Sequence, residues 1–105
     1  MASNEVRIIG GNWRGRKLVF PDRPDLRPTL GRVRETLFNW LRADVPGARC
    51  LDLFAGSGVV GLEALSRGVG SATFVDFSNV CCDAIRSNAE SIDVSEKCRV
   101  VEARV

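Results

Sequence analysis

Leu51-Asp-Leu-Phe-Ala-Gly-Ser-Gly-Val-Val-Gly61 reads as a short apolar strand that runs into a glycine turn and then into the start of a helix. Gly56, Gly58 and Gly61 fit the pattern G-x-G-x-x-G, and the flanking strand and helix supply the context that gives this pattern meaning. Asp76 stands twenty residues beyond Gly56, at the end of the next predicted strand, where a carboxylate can accept the two hydroxyl protons of a ribose. The glycines let the backbone approach a ligand closely and leave the helix N-terminal amides free to meet it. Together these residues predict a site for an adenosine-type cofactor.

Asp52 separates the candidate cofactors by sign of charge. A dinucleotide would bring a pyrophosphate to the turn, where a carboxylate repels it. S-adenosylmethionine brings a sulfonium and an α-ammonium, which a carboxylate stabilises. Asp52 therefore favours the methyl donor over a nicotinamide cofactor. The plainer alternative is that Asp52 caps the loop through backbone amides.

Around the turn, strands and helices alternate, which implies parallel strands joined by right-handed crossovers and an α/β fold. The predicted order is a strand over 49–54, a helix over 58–67, a strand over 71–75, a helix from Ser78 to about Ser91 and a strand over 99–103. In the first helix Val59, Leu62 and Leu65, or Val60 and Ala64, face inward, and Gly68 closes it. Glu63 and Arg67 stand four apart, which predicts a surface ion pair worth a few tenths of a kcal/mol.

Upstream, the run Val6 to Phe20 carries β-branched and aromatic residues on both sides of Gly10-Gly11-Asn12 and predicts a hairpin turning there. Its second arm gathers Trp13, Arg14, Arg16 and Lys17, an aromatic among cations, which suits phosphate contact and base stacking in RNA. Trp13 could equally pack the hairpin onto the body of the protein. Pro21, Pro24 and Pro28 mark an extended linker, and Thr29 stands as N-cap to a helix over 30–42. Val33, Leu37, Trp40 and Leu41 form the apolar stripe of that helix, which predicts Trp40 in the core.

The chain has 105 residues, enough for one small domain, with 45% hydrophobic and 27% charged residues, as a globular chain needs. Residues 1–42 hold nine basic and four acidic side chains, and the remainder six and nine, so a net charge of +2 hides a basic N-terminal portion suited to a polyanion. Only Lys17 and Lys97 among the fifteen cations are lysine, and arginine's planar fork favours nucleic acid. Cys50, Cys81, Cys82 and Cys98 have no C-x-x-C spacing and histidine is absent, so no metal site or Cys/His nucleophile is expected and the cysteines read as small buried hydrophobes. No apolar run is long enough to span a bilayer and the N-terminus resembles no signal peptide, so a cytoplasmic protein with no membrane partner is expected.

Asp52-Leu-Phe-Ala-Gly-Ser-Gly58 resembles the cofactor motif of class I S-adenosylmethionine-dependent methyltransferases. The wider chain resembles the RsmD family of bacterial 16S rRNA guanine-N2 methyltransferases. The resemblance runs through Arg7-Ile-Ile-Gly-Gly-Asn-Trp-Arg-Gly-Arg-Lys-Leu18, Arg27-Pro-Thr29, Arg32-Val-Arg-Glu-Thr-Leu-Phe-Asn-Trp-Leu41 and the glycine loop continuing to Gly-Leu-Glu-Ala-Leu-Ser-Arg67. It implies a Rossmann-like class I methyltransferase fold, with about three parallel strands preceded by a basic hairpin and one helix. Residues 1–28 are then an RNA-binding hairpin and linker, and 29–105 the N-terminal portion of the cofactor domain. The cofactor residues are Arg27, Thr29, Asp52, Phe54, Ala55, Gly56, Ser57, Gly58 and Asp76, with Arg27 and Thr29 near the methionine end. The hairpin residues Arg7, Trp13, Arg14, Arg16 and Lys17 are the expected contacts to 16S rRNA or a small-subunit assembly intermediate.

Gly31 departs from the family pattern, and no Pro-Pro pair occurs, so the N/D-P-P-F/Y motif that holds the guanine amine is missing. No catalytic residue is nominated. In this fold class the strand ending at Phe54 lies centrally, so it is expected here to show an open apolar edge. Both features suggest the cofactor-side half of a longer enzyme. The competing reading is a non-catalytic RNA-binding module in which the glycine loop is only a scaffold.

Overall fold

A computed structural model describes residues 3–21, 31–53 and 55–104. Arg27, Thr29 and Phe54, and the linker over 22–30, lie outside the described residues.

Two antiparallel strands open the chain, β1 (Ser3–Arg7) and β2 (Lys17–Pro21), with Arg7 opposite Lys17 and Val6 opposite Leu18. The hairpin is present, but its turn is not the tight Gly10-Gly11-Asn12 reversal expected from sequence. Residues 8–16 join the strands, and the glycines serve a different purpose. Gly11 has φ of 81°, which brings the Asn12 N–H to the Ser66 carbonyl at 2.8 Å, and a Cβ on Gly11 would collide with that carbonyl. Ser66 Oγ donates to the Gly10 carbonyl at 2.6 Å and accepts from the Trp13 N–H at 3.0 Å. The glycine pair thus docks the loop on a helix C-terminus whose last carbonyls need donors.

The helix α1 (Gly31–Trp40) buries Arg34 and Phe38. Its apolar stripe does not face the core: Trp40 is 78% exposed, Val33 49%, and Leu41 is also exposed. The expectation of Trp40 in the core is therefore corrected. The face of α1 that packs is chosen by a buried ion pair at Arg34, a stronger constraint on orientation than an apolar stripe.

The remaining elements are β3 (Arg49–Asp52), α2 (Val59–Ser66), β4 (Ser71–Asp76), α3 (Asn79–Ser91), a short 3-10 turn (Ser95–Lys97) and β5 (Cys98–Glu102). The strands form a parallel sheet in the order β3-β4-β5, with Cys50 opposite Ala72 and Phe74 opposite Val100. β3 lies at the edge with Leu51 62% exposed, as the strand order predicts. Gly61 is required because a Cβ there would strike the Phe74 ring, so α2 can lie close on β4. Ser78 caps α3 by accepting the Cys81 N–H at 3.3 Å. The Asn88 side-chain amide bonds both the N–H and the carbonyl of Val19, at 2.9 and 2.8 Å, and so closes the outer edge of β2. Ile8 and Leu18 of the hairpin share one core cluster with Leu62, Phe74 and Ile85.

Glu63 holds these parts together. The expectation of a surface pair with Arg67 is corrected, because the Glu63 side chain has no exposure and receives four donors. Oε1 accepts from the Ile9 N–H and Arg34 Nη1, and Oε2 from the Gly10 N–H and Arg67 Nε, all at 2.9 Å. Arg34 Nη1 also donates to the Arg7 carbonyl at 3.0 Å. Four good donors are what a fully buried carboxylate needs to offset its desolvation.

Candidate functional site

The site is built at the carboxyl ends of β3 and β4, where parallel sheets leave room for ligands. Asp52 is the last residue of β3 and is half-buried. The chain then crosses toward β4: the Ala55 N–H donates to the Val75 carbonyl at 3.1 Å, and the Gly58 N–H to the Ala55 carbonyl at 2.7 Å. Gly58, with φ of 79°, begins α2, and a Cβ there would lie 2.7 Å from Ile85. Gly56 is also left-handed, with φ of 54°. Both conformations exclude most side chains, which explains the glycine spacing.

Asp76 ends β4 and ties the loop to the sheet. Its Oδ2 accepts the Gly56 N–H at 2.9 Å and its Oδ1 accepts the Ser78 N–H at 2.9 Å. Its main-chain carbonyl accepts the Ala103 N–H at 2.9 Å, which fixes the residue after β5 to the same edge. Phe77 follows, 65% exposed, with the Arg104 guanidinium 5.8 Å from its ring centroid. Sequence reasoning missed Phe77, although an aromatic directly after a strand-terminal acid was visible.

The structure thus brings Asp52, Ala55, Gly56, Ser57, Gly58 and Asp76 to one edge of the sheet. The basic cluster lies elsewhere. The loop over 8–16 docks on Ser66, at the far end of α2, about 12 Å of helix from the glycine turn. Arg16 donates to the Ser91 carbonyl at 2.7 Å, at the C-terminus of α3, and Arg7 to the Gly15 carbonyl at 2.9 Å. Lys17 pairs with Glu5 at 3.6 Å, while Arg14 is exposed and makes no side-chain hydrogen bond or ion pair among the described residues. Trp13 is partly buried and packs against the core cluster.

The four cysteines are free thiols. Cys81 and Cys82 are buried as expected, while Cys50 and Cys98 are half-buried. Burial pushes the Cys98 thiol up to about 11, and burial with the Asp52 charge raises Cys50. Burial is also the main cause that raises Cys82. These three thiols stay protonated near neutral pH, the weakly nucleophilic state. Among the described residues, no cluster of three metal-ligating side chains occurs and no helix is long and apolar enough to cross a membrane.

A parallel sheet whose first strand leads into a glycine turn, with an acidic residue closing the second, is a Rossmann-like arrangement, and the structural neighbours below make it that of class I methyltransferases. The solved structure of yhhF from Escherichia coli, described as a candidate methyltransferase, superposes with a TM-score of 0.88 at 46% identity, over 96% of this chain and 53% of that one. The Ribosomal RNA small subunit methyltransferase D of Escherichia coli (strain K12) is 53% identical over 90 residues, 86% of this chain and 46% of that protein. The protein of the same name from Haemophilus influenzae is 46% identical over 96 residues, 91% of this chain and 50% of that protein. The chain belongs to the family described as Conserved hypothetical protein 95, which matches residues 6–105, and the RsmD resemblance read from its motifs is borne out. It spans about half the length of the curated relatives it matches.

Proposed function

We propose that this chain binds S-adenosylmethionine at the carboxyl edge of its sheet and serves the methylation of a guanine N2 in 16S rRNA. The observation that carries this reading is the Asp76 carboxylate, pinned by the Gly56 and Ser78 amides so that the acid and the glycine turn form one rigid unit. Each of its oxygens takes one backbone donor and has acceptor capacity left for a ribose hydroxyl. Residues 53–58 contain no basic side chain and follow Asp52, a set suited to a cationic sulfur nucleoside and unsuited to a diphosphate. The residues therefore fit the group. Asp76 holds the ribose, the exposed Phe77 ring offers a face to the adenine, and Asp52 lies toward the positive methionine portion. Arg27, Thr29 and Phe54 join this set by resemblance.

When bound, S-adenosylmethionine supplies an electrophilic methyl group on sulfur. A guanine amine has its lone pair delocalised into the ring, so the enzyme must extrude the base, accept the amine hydrogens and aim the nitrogen. The acceptors for that step are not nominated within these 105 residues. The hairpin residues Arg7, Trp13, Arg14, Arg16 and Lys17 support the rRNA reading as a basic, partly aromatic extension, with small-subunit rRNA or an assembly intermediate as partner.

The test is transfer of tritiated methyl from S-adenosylmethionine to 16S rRNA, with the product located by nuclease digestion and mass spectrometry. Label on guanine N2 is the expected result when these residues are joined to a segment that carries the amine-holding motif, and the 105 residues alone should bind S-adenosylhomocysteine, with loss in Asp76→Ala, and transfer no methyl group. RNA affinity that persists in Gly58→Asp, with no binding of S-adenosylhomocysteine by the wild-type chain, would instead favour a non-catalytic RNA-binding module.

A further inference from the structure

A cleft of about 260 Å³ opens at the end of the molecule opposite the glycine turn, lined by Gly11, Phe38, Asn39, Arg42, Val45 and Arg67. Among the described residues no carboxylate lines it, and Asp44, exposed on the turn after α1, lies outside it. We infer that this cleft is a phosphate-binding subsite that grips the backbone of the RNA substrate at a distance from the reacting base. The inference rests on the rRNA reading above and extends it.

Arg67 is held ready for such a role. Its Nε is bound to Glu63 Oε2 at 2.9 Å, and its guanidinium lies 5.1 Å from the Phe38 ring centroid. A Cβ on Gly10 would come within 2.9 Å of its Cζ and of a terminal nitrogen, so the guanidinium also rests against the hairpin backbone. One of its five N–H donors is used at Nε, and neither terminal nitrogen has a hydrogen bond to another described residue. A guanidinium fixed on three sides with its fork available has little freedom left to lose when it takes a phosphate in two places.

The charge is also favourable. Arg67 shares the single negative charge of Glu63 with Arg34, and exposed Arg42 adds a positive charge to the lining. Asn39, exposed on the last turn of α1, adds an amide donor, and the Phe38 ring gives the wall an apolar surface. Arg14 lies exposed on the same hairpin loop that supplies Gly11 to the cleft. With the cofactor residues at one end of α2 and this cleft at the other, one RNA would contact both only by spanning about 12 Å or more.

The experiment measures binding of a 16S rRNA transcript by the protein across a salt series, for wild type, Arg42→Gln, Asn39→Ala and Arg32→Gln. Arg42→Gln should lower affinity about 3- to 10-fold near 0.1 M salt and reduce the salt slope by about one, with S-adenosylhomocysteine affinity unchanged. Asn39→Ala should weaken binding with little change in slope. Arg32, at the opposite end of α1 and outside the cleft, should matter much less. Wild-type affinity and slope in Arg42→Gln would overturn the inference and leave the rRNA reading standing, as would an equal loss in Arg32→Gln, which would indicate diffuse charge. Failure of the wild-type protein to bind the transcript would overturn both.

Discussion

Glu63 and Asp76 are both acids that organise backbone, and their substitutions should behave differently. Glu63→Gln removes the buried carboxylate charge that accepts from Arg34, Arg67 and the Ile9 and Gly10 amides, and should cost about 3–5 kcal/mol, read as a shift of the urea midpoint at constant slope. Asp76→Ala removes the carboxylate proposed to accept the ribose hydroxyls and should weaken S-adenosylhomocysteine binding about 10- to 100-fold, measured by calorimetry on protein shown to be folded. The place of Asp76, at the end of β4 and tied to the glycine turn, was legible in the sequence because its signal is local: a fixed count after a glycine triplet at a strand end. The role of Glu63 was not legible. Its partners Ile9, Gly10 and Arg34 lie 54, 53 and 29 residues away, and only its neighbour at i+4 could be seen.

At the level of elements, hydrophobic period located β3, α2, β4, α3 and β5 to within a residue or two, and missed the short 3-10 turn over Ser95–Lys97, which buries no residue. It could not say which face of α1 packs. Periodicity finds an apolar stripe, whereas the orientation of α1 follows from Arg34 reaching Glu63 and Phe38 lying beneath Arg67. The same limit explains the hairpin: Gly10-Gly11-Asn12 is a turn signal, but the surface that needs those glycines is the end of α2. Two expectations belong here. Gly61→Ala should cost about 1–3 kcal/mol in urea denaturation, since the new methyl meets the Phe74 ring between α2 and β4. Cys98 opens β5 with its thiol raised from 9.0 to about 11, so the unfolded chain loses that proton first as pH rises. Its contribution is full below about pH 9 and lost toward pH 11, and Cys98→Ala should flatten this alkaline decline in a pH series of urea midpoints.

Over the whole molecule, two different charge environments lie at opposite ends of α2, joined by a core that includes hairpin, helices and sheet. The carboxyl edge of the sheet presents Asp52, Asp76 and a turn without cations, while the far end presents arginines around the docked hairpin loop. The central claim is that the edge bearing Asp52 receives a positively charged sulfur nucleoside. Calorimetric titration of the protein with S-adenosylhomocysteine and with NADH, each followed by competition with S-adenosylmethionine, tests it most directly. The account expects saturable one-to-one binding of S-adenosylhomocysteine, displaced by S-adenosylmethionine, and no heat from NADH. Binding of NADH in preference, or no binding of either nucleoside to the folded protein, would contradict it.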